Sequence, residues 1–129
     1  MRIFKTKWFT KFAKKQAISD ATLLQVVQDI EAGKIDADLG DGVIKQRIAR
    51  SGQGKSAGYR SIILYQKANK AFFVYGFAKN EQANIAEHEE RAFKDLAIKF
   101  FTYSDDELAQ AVADETFKEI NSDEQEQNI

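Results

Sequence analysis

The stretch ARSGQGKSAGYRSIILYQK, Ala49 to Lys67, decides the fold through the run that succeeds its glycines. Its first eight residues fit a relaxed phosphate-loop pattern, a small residue, four spacers and then Gly-Lys-Ser. A phosphate loop works by joining a strand to a helix N-terminus, where successive N–H groups and the helix dipole converge on the phosphates. Here Gly58 comes at once, then a β-branched and aromatic run, and no amphipathic helix can be drawn from Lys55 onward. No apolar strand ending in Asp offers a magnesium ligand either. The stretch therefore predicts strand, glycine loop, strand, and it argues against a nucleoside triphosphate site.

Working outward, VIKQRIA before the loop alternates, with Ile44 and Ile48 on one side and Lys45 and Arg47 on the other, as in a half-buried strand. Tyr59 to Lys67 is a second strand, and AFFVYGFA, Ala71 to Ala78, is a third that is apolar on both faces, as a central strand should be. Ala68-Asn69-Lys70 links these two as a hairpin. Upstream, RIFKT reads as a short opening strand. Trp8, Phe9, Phe12 and Ala13 then fall at helical spacing, and Ser19 caps a second helix bearing Leu23, Leu24, Val27 and Ile30, with Gly33 closing it. KIDADLGDG has turn chemistry. After Asn84 the period is helical again, through Ile85, Ala92, Phe93, Leu96 and Phe100, and the capping box from Ser104 to Glu107 starts a last helix. The expected order is β-α-α-β-β-β-α-α, an α+β fold.

The length, 129 residues, suits one domain, and the hydrophobic fraction of 43% supports a packed core. There is no membrane-length apolar run, and the basic, aromatic N-terminus lacks the pattern of a secretory signal. Cysteine is absent, which excludes disulfides and thiolate chemistry. These features fit a cytoplasmic chain. The formal net charge of −1 hides an asymmetry. Residues 1–79 hold 15 Lys and Arg against 6 Asp and Glu, whereas residues 80–129 hold 4 against 14. A basic body of net +9 and an acidic end of net −10 point to a polyanion partner. The acidic end reads either as a solubilising tail or as a segment that folds over the basic face.

Five cations stand between Lys45 and Arg60: Lys45, Arg47, Arg50, Lys55 and Arg60. Gly52, Gly54 and Gly58 let the backbone approach a ligand, and Tyr59 adds a ring. Arginine clamps phosphate bidentately and a ring stacks on a base, so the group suits single-stranded nucleic acid. The lone histidine, His88, sits among glutamates and reads as a helix-surface residue. A single histidine excludes a paired-histidine ribonuclease, and HEE is no zinc motif. Without histidine, a lysine crowded by other cations is the alternative base, since neighbouring positive charge favours its neutral form.

The runs IKQRIARSGQGKSAGYR and FFVYGFAKNEQANI resemble the RelE/ParE superfamily of bacterial toxins, and within it the HigB-like, RelE-type branch. Gly58-Tyr59-Arg60 opening a strand and Lys79-Asn80-Glu81 closing the next match the superfamily's frame. The resemblance implies a small twisted antiparallel sheet packed against an N-terminal helical hairpin and C-terminal helices. It covers a core expected at 1–102, with 103–129 an acidic helical extension. It also implies a toxin of a type II toxin–antitoxin system, a metal-independent endoribonuclease that cuts messenger RNA in the ribosomal A site and uses no cofactor. A cognate antitoxin, often of helix-turn-helix type, would neutralise it.

Carried over by position, the resemblance places Arg60 at the scissile phosphate and implies Lys55, Tyr59 and Lys79 as its catalytic companions. Lys45, Arg47, Arg50 and Lys55 would bind RNA as a group. Asn80 stands where many RelE proteins have a second arginine, and Ala86 where they place a tyrosine. Lys79, Tyr59 or Tyr75 must then fill those roles. Other functions remain open at this level: a ParE-like gyrase inhibitor, a non-catalytic RNA- or DNA-binding module, and, given Asn80 and Ala86, a catalytically dead toxin-like scaffold that only binds its partner.

Overall fold

A computed structural model describes residues 1–49 and 58–120 of the chain. Its elements run β1 (Arg2–Thr6), α1 (Lys7–Lys15), α2 (Asp20–Glu31), β2 (Ala37–Gly40), β3 (Val43–Ile48), β4 (Tyr59–Gln66), β5 (Lys70–Ala78), α3 (Glu87–Phe101), α4 (Asp105–Ala113) and β6 (Phe117–Ile120). The strands form one sheet in the order β2-β3-β4-β5-β1-β6. All neighbours are antiparallel except β1 and β5, which run parallel through the helical hairpin that connects β1 to the rest. The α+β class and the small sheet flanked by helices at both ends of the chain are as the sequence predicts.

Local chemistry explains the boundaries. The Thr6 hydroxyl accepts from the Phe9 N–H at the start of α1, and Ser19 does the same for Thr22 at α2. Ser104 and Glu107 form the reciprocal capping box of α4. Between β2 and β3, Asp41 and Gly42 both take positive φ, 56° and 84°, the backbone that a two-residue hairpin turn requires.

Two short strands escaped the sequence reading. β2 is four residues of the segment read as a loop, and β6 is four residues of the segment read as a helical extension. Each is too short for a period to register, and each gains strand form by pairing at a sheet edge. The segment after residue 102 is built into the fold as far as it is described. Leu108, Phe117 and Ile120 are buried in the two cores, and Arg2 grips Glu119 bidentately at 3.0 Å from both Nε and Nη2. That contact draws the acidic segment to β1, and residues 121–129 lie outside the described chain.

The sheet is covered on both faces. One core joins α1 and α2, through Phe9, Ala13, Leu23, Val27 and Ile30, to Ile44, Ile48, Tyr59, Ile63 and Phe73. The other joins α3 and α4, through Ala97, Phe100 and Leu108, to Phe4, Val43, Ile62, Leu64 and Phe72. Trp8, which shares helical spacing with the buried Phe9 and Ala13, is itself 46% exposed.

Candidate nucleic-acid interface

Strand pairing assembles the basic residues in rows. Arg47 on β3 lies opposite Arg60 on β4, and Arg60 lies opposite Phe77 on β5. Two residues along, Lys45, Ile62 and Tyr75 form the next row on the same face. Ile62 belongs to the α3/α4 core and Tyr75 packs against it, which fixes the face.

A β-bulge produces this arrangement. Ile63 pairs with Phe73 and Ile62 with Tyr75, so Val74 is an extra residue on β5. Unbroken alternation after Phe72 would send Tyr75 and Phe77 to the α1 side. The extra residue turns both to the arginine side and sends Gly76 toward α1. A Cβ at Gly76 would come within 2.5 Å of the Phe12 ring, so glycine is what lets α1 sit this close to β5.

Electrostatics mark the rows as unusual. Directly opposed like charges on neighbouring strands are unfavourable to a sheet. Arg47 and Arg60 occupy directly paired positions on the two strands; Arg47 is exposed, and Arg60 is only 8% exposed, with Nη1 donating to the Tyr59 carbonyl at 3.5 Å. Each guanidinium fork fits a phosphate oxygen pair, so two arginines at paired positions suit an anion. Beside the arginines, Tyr75 donates its hydroxyl to Gln82 Oε1 at 3.0 Å. Gln82 Nε2 in turn donates to the Asn84 carbonyl at 2.9 Å. Lys45 Nζ donates to Asn84 Oδ1 at 3.0 Å. The turn after β5 thus holds the phenol and the lysine in place from one side.

The predicted site residues divide accordingly. Arg60, Arg47 and Lys45 come together on one face. Lys79 is exposed at the same end of the sheet, its N–H donating to the Gly58 carbonyl at 3.4 Å. Tyr59 goes elsewhere. It belongs to the opposite core, touches Phe12 edge-on at 5.8 Å and donates its hydroxyl to Gln16 at 3.0 Å. Strand alternation forces this, because Tyr59 and Arg60 are consecutive on β4. Arg50 and Lys55 fall outside the described residues. Tyr75, named with Tyr59 as an alternative for the missing tyrosine, is the one of the two that faces the arginine side, and Phe77 opposite Arg60 escapes sequence reasoning, because AFFVYGFA, apolar throughout, carries no face signal. His88 is exposed near the start of α3, as read. Asp41, in the β2–β3 turn, faces Lys94 at 3.9 Å.

Among the described residues, no helix is long and apolar enough to cross a membrane, and no group of three acidic or histidine side chains could hold a metal ion. No curated protein matches the sequence. A family model described as the RelE toxin of the RelE / RelB toxin-antitoxin system matches residues 1–120, which takes in every described strand and helix, β6 included. On that match, the chain belongs to the RelE toxin family.

Proposed function

We propose that this chain is a HigB-like, RelE-type toxin that cleaves messenger RNA on the ribosome, with the arginine row as its phosphate seat. The observation that carries the reading is the Arg47–Arg60–Phe77 row beside Tyr75 and Lys45 on one sheet face. Cleavage by the 2′-hydroxyl forms a bond from that oxygen to phosphorus and breaks the bond to the 5′-oxygen. A base removes the 2′ proton, and an acid gives one to the leaving oxygen. Arg60 and Arg47 hold the phosphate and stabilise the charge that builds on its oxygens. Tyr75, the phenol beside them, and Lys79 at the rim are the groups offered for proton transfer. Lys45 adds a fixed cation, and Arg50 and Lys55 extend the same basic stretch in sequence. With no histidine pair, the site leans on the ribosome to orient the message. A small antitoxin partner, of helix-turn-helix type in this branch, would occlude the face, and the reaction proposed uses no cofactor.

The test is sequencing of RNA 5′ ends in cells after a brief pulse of expression, comparing the native chain with Arg60→Ala. New ends in phase with codons, inside translated regions and lost in the variant, are expected. Growth arrest without new ends would point instead to gyrase inhibition. Normal growth without new ends would leave a non-catalytic binding module.

A further inference from the structure

We propose that an RNA strand seated at the arginine row continues around the edge of β5 onto α1, where Trp8, Lys11 and Lys15 hold its next nucleotides. The inference rests on the sheet face being an RNA site and adds a second contact for the same strand.

The edge is available because β1 is short. It pairs with β5 only from Arg2↔Lys70 to Lys5↔Phe73, and the chain turns into α1 at Lys7. Among the described residues no strand pairs with the outer edge of β5 beyond Phe73, although β5 runs to Ala78. Between α1 and that edge lies a groove of about 480 Å³ lined by Trp8, Lys11, Phe12, Lys15, Tyr75 and Gln82, among others. Tyr75 belongs to both places. It stands in the row beside the arginines, 6.1 Å from the Phe77 ring, and it lies 4.7 Å from the Trp8 ring. Trp8 in turn stacks on Phe12 at 5.4 Å and 14°. A run of rings therefore leads from the phosphate seat to α1.

The charge tracks the rings. α1 reads KWFTKFAKK, with four lysines and no carboxylate, and Lys11 and Lys15 are exposed. Among the described residues Glu81 is the single acid on the groove wall, and it favours a backbone that runs along the lysine side. Rings on which bases stack, set in a cationic groove that tracks phosphates, are the parts of a sequence-tolerant single-strand site. An acidic peptide would satisfy the lysines and leave the exposed tryptophan without a purpose.

Trp8 is the only tryptophan, so its fluorescence reports this groove in the native full-length chain. The probes are single-stranded oligouridylates, a trinucleotide and a nonanucleotide, titrated at low salt. The nonanucleotide is expected to quench Trp8 in the native chain, and, with binding read from the anisotropy of a labelled oligonucleotide, Lys11→Gln with Lys15→Gln, or Trp8→Leu, is expected to weaken nonanucleotide binding about tenfold while trinucleotide binding holds. The lysine pair is exposed, so that variant reads the groove without disturbing packing. Nonanucleotide binding that leaves the fluorescence and the lysine variant unaffected, yet is lost in Arg60→Ala, would overturn the groove and leave the sheet site standing. Failure of both lengths to bind would overturn both. Quenching by oligoglutamate in preference to oligouridylate would assign the groove to a protein partner and overturn the RNA path.

Discussion

Two rows of the same sheet face make opposite use of the same strands. Val43, Leu64 and Phe72 form one row, and all three are fully buried beneath α3 and α4. Arg47, Arg60 and Phe77 form the other, two rows along β3 and β4. The first row is closed by Phe100 and Phe117, which meet the Phe72 ring at 5.0 and 5.4 Å. The helix that closes it touches the intervening Lys45–Ile62–Tyr75 row through Phe93, 5.8 Å from Tyr75. Alternation assigns a face, and the helix path decides which part of that face is core. Where apolar cover is supplied the row holds the fold together. In the other row two arginines occupy paired positions on neighbouring strands, an arrangement that suits an anionic ligand.

The contrast can be broken at its packed end. Phe72→Ala should cost about 3–5 kcal/mol by urea unfolding, because the ring is fully buried against Phe4, Phe100 and Phe117. A cost under about 1 kcal/mol would mean that the second core is not what holds the sheet. At the other end, Arg60→Ala should lower RNA cleavage on ribosomes at least about 100-fold, the usual scale for losing a donor to a developing oxyanion. Full activity in a folded Arg60→Ala protein would remove the row from the chemistry.

The bulge connects the two rows and offers a finer test. Gly76→Ala should cost about 1–3 kcal/mol, since the added methyl meets Phe12 and pushes α1 from β5. Tyr75 should shift with it, and nuclear magnetic resonance of the Tyr75 ring would report the movement. Arg47→Ala sharpens the comparison further. Removing one of two arginines at paired positions, the exposed one, should leave thermal stability within about 1 kcal/mol of the native value, while RNA binding weakens. A clear loss of stability would make the pair structural.

The smallest expected effect is at α4. Backbone and side-chain hydrogen bonds with Ser104 hold the Glu107 carboxyl below its ordinary value of 4.5. A depressed folded value means that the contribution is complete above the unfolded value and fades as pH falls through the folded one. Glu107→Gln should therefore lower the melting temperature slightly near neutrality and flatten its decline below about pH 4.5. Identical acid profiles for the two proteins would show that the box contributes nothing measurable.

Much of this was legible in the residues alone. Capping serines, helical spacing and strand alternation determined the four helices and the long strands of the sheet, and Ile44 and Ile48 against Lys45 and Arg47 already told which side of β3 is charged. Cation density singled out Lys45, Arg47 and Arg60 as part of one group, but Arg47 stands opposite Arg60 only through the register of β3 on β4. What the tertiary structure decided depends on partners distant in sequence. β1 runs parallel to β5 because of where α1 and α2 carry the chain, and β2 and β6 are strands only because an edge was there to pair with. The exchange of Tyr59 for Tyr75 has the same cause. In AFFVYGFA every position is compatible with either face, so one extra residue, accommodated where Gly76 meets Phe12, settles which rings reach the arginines.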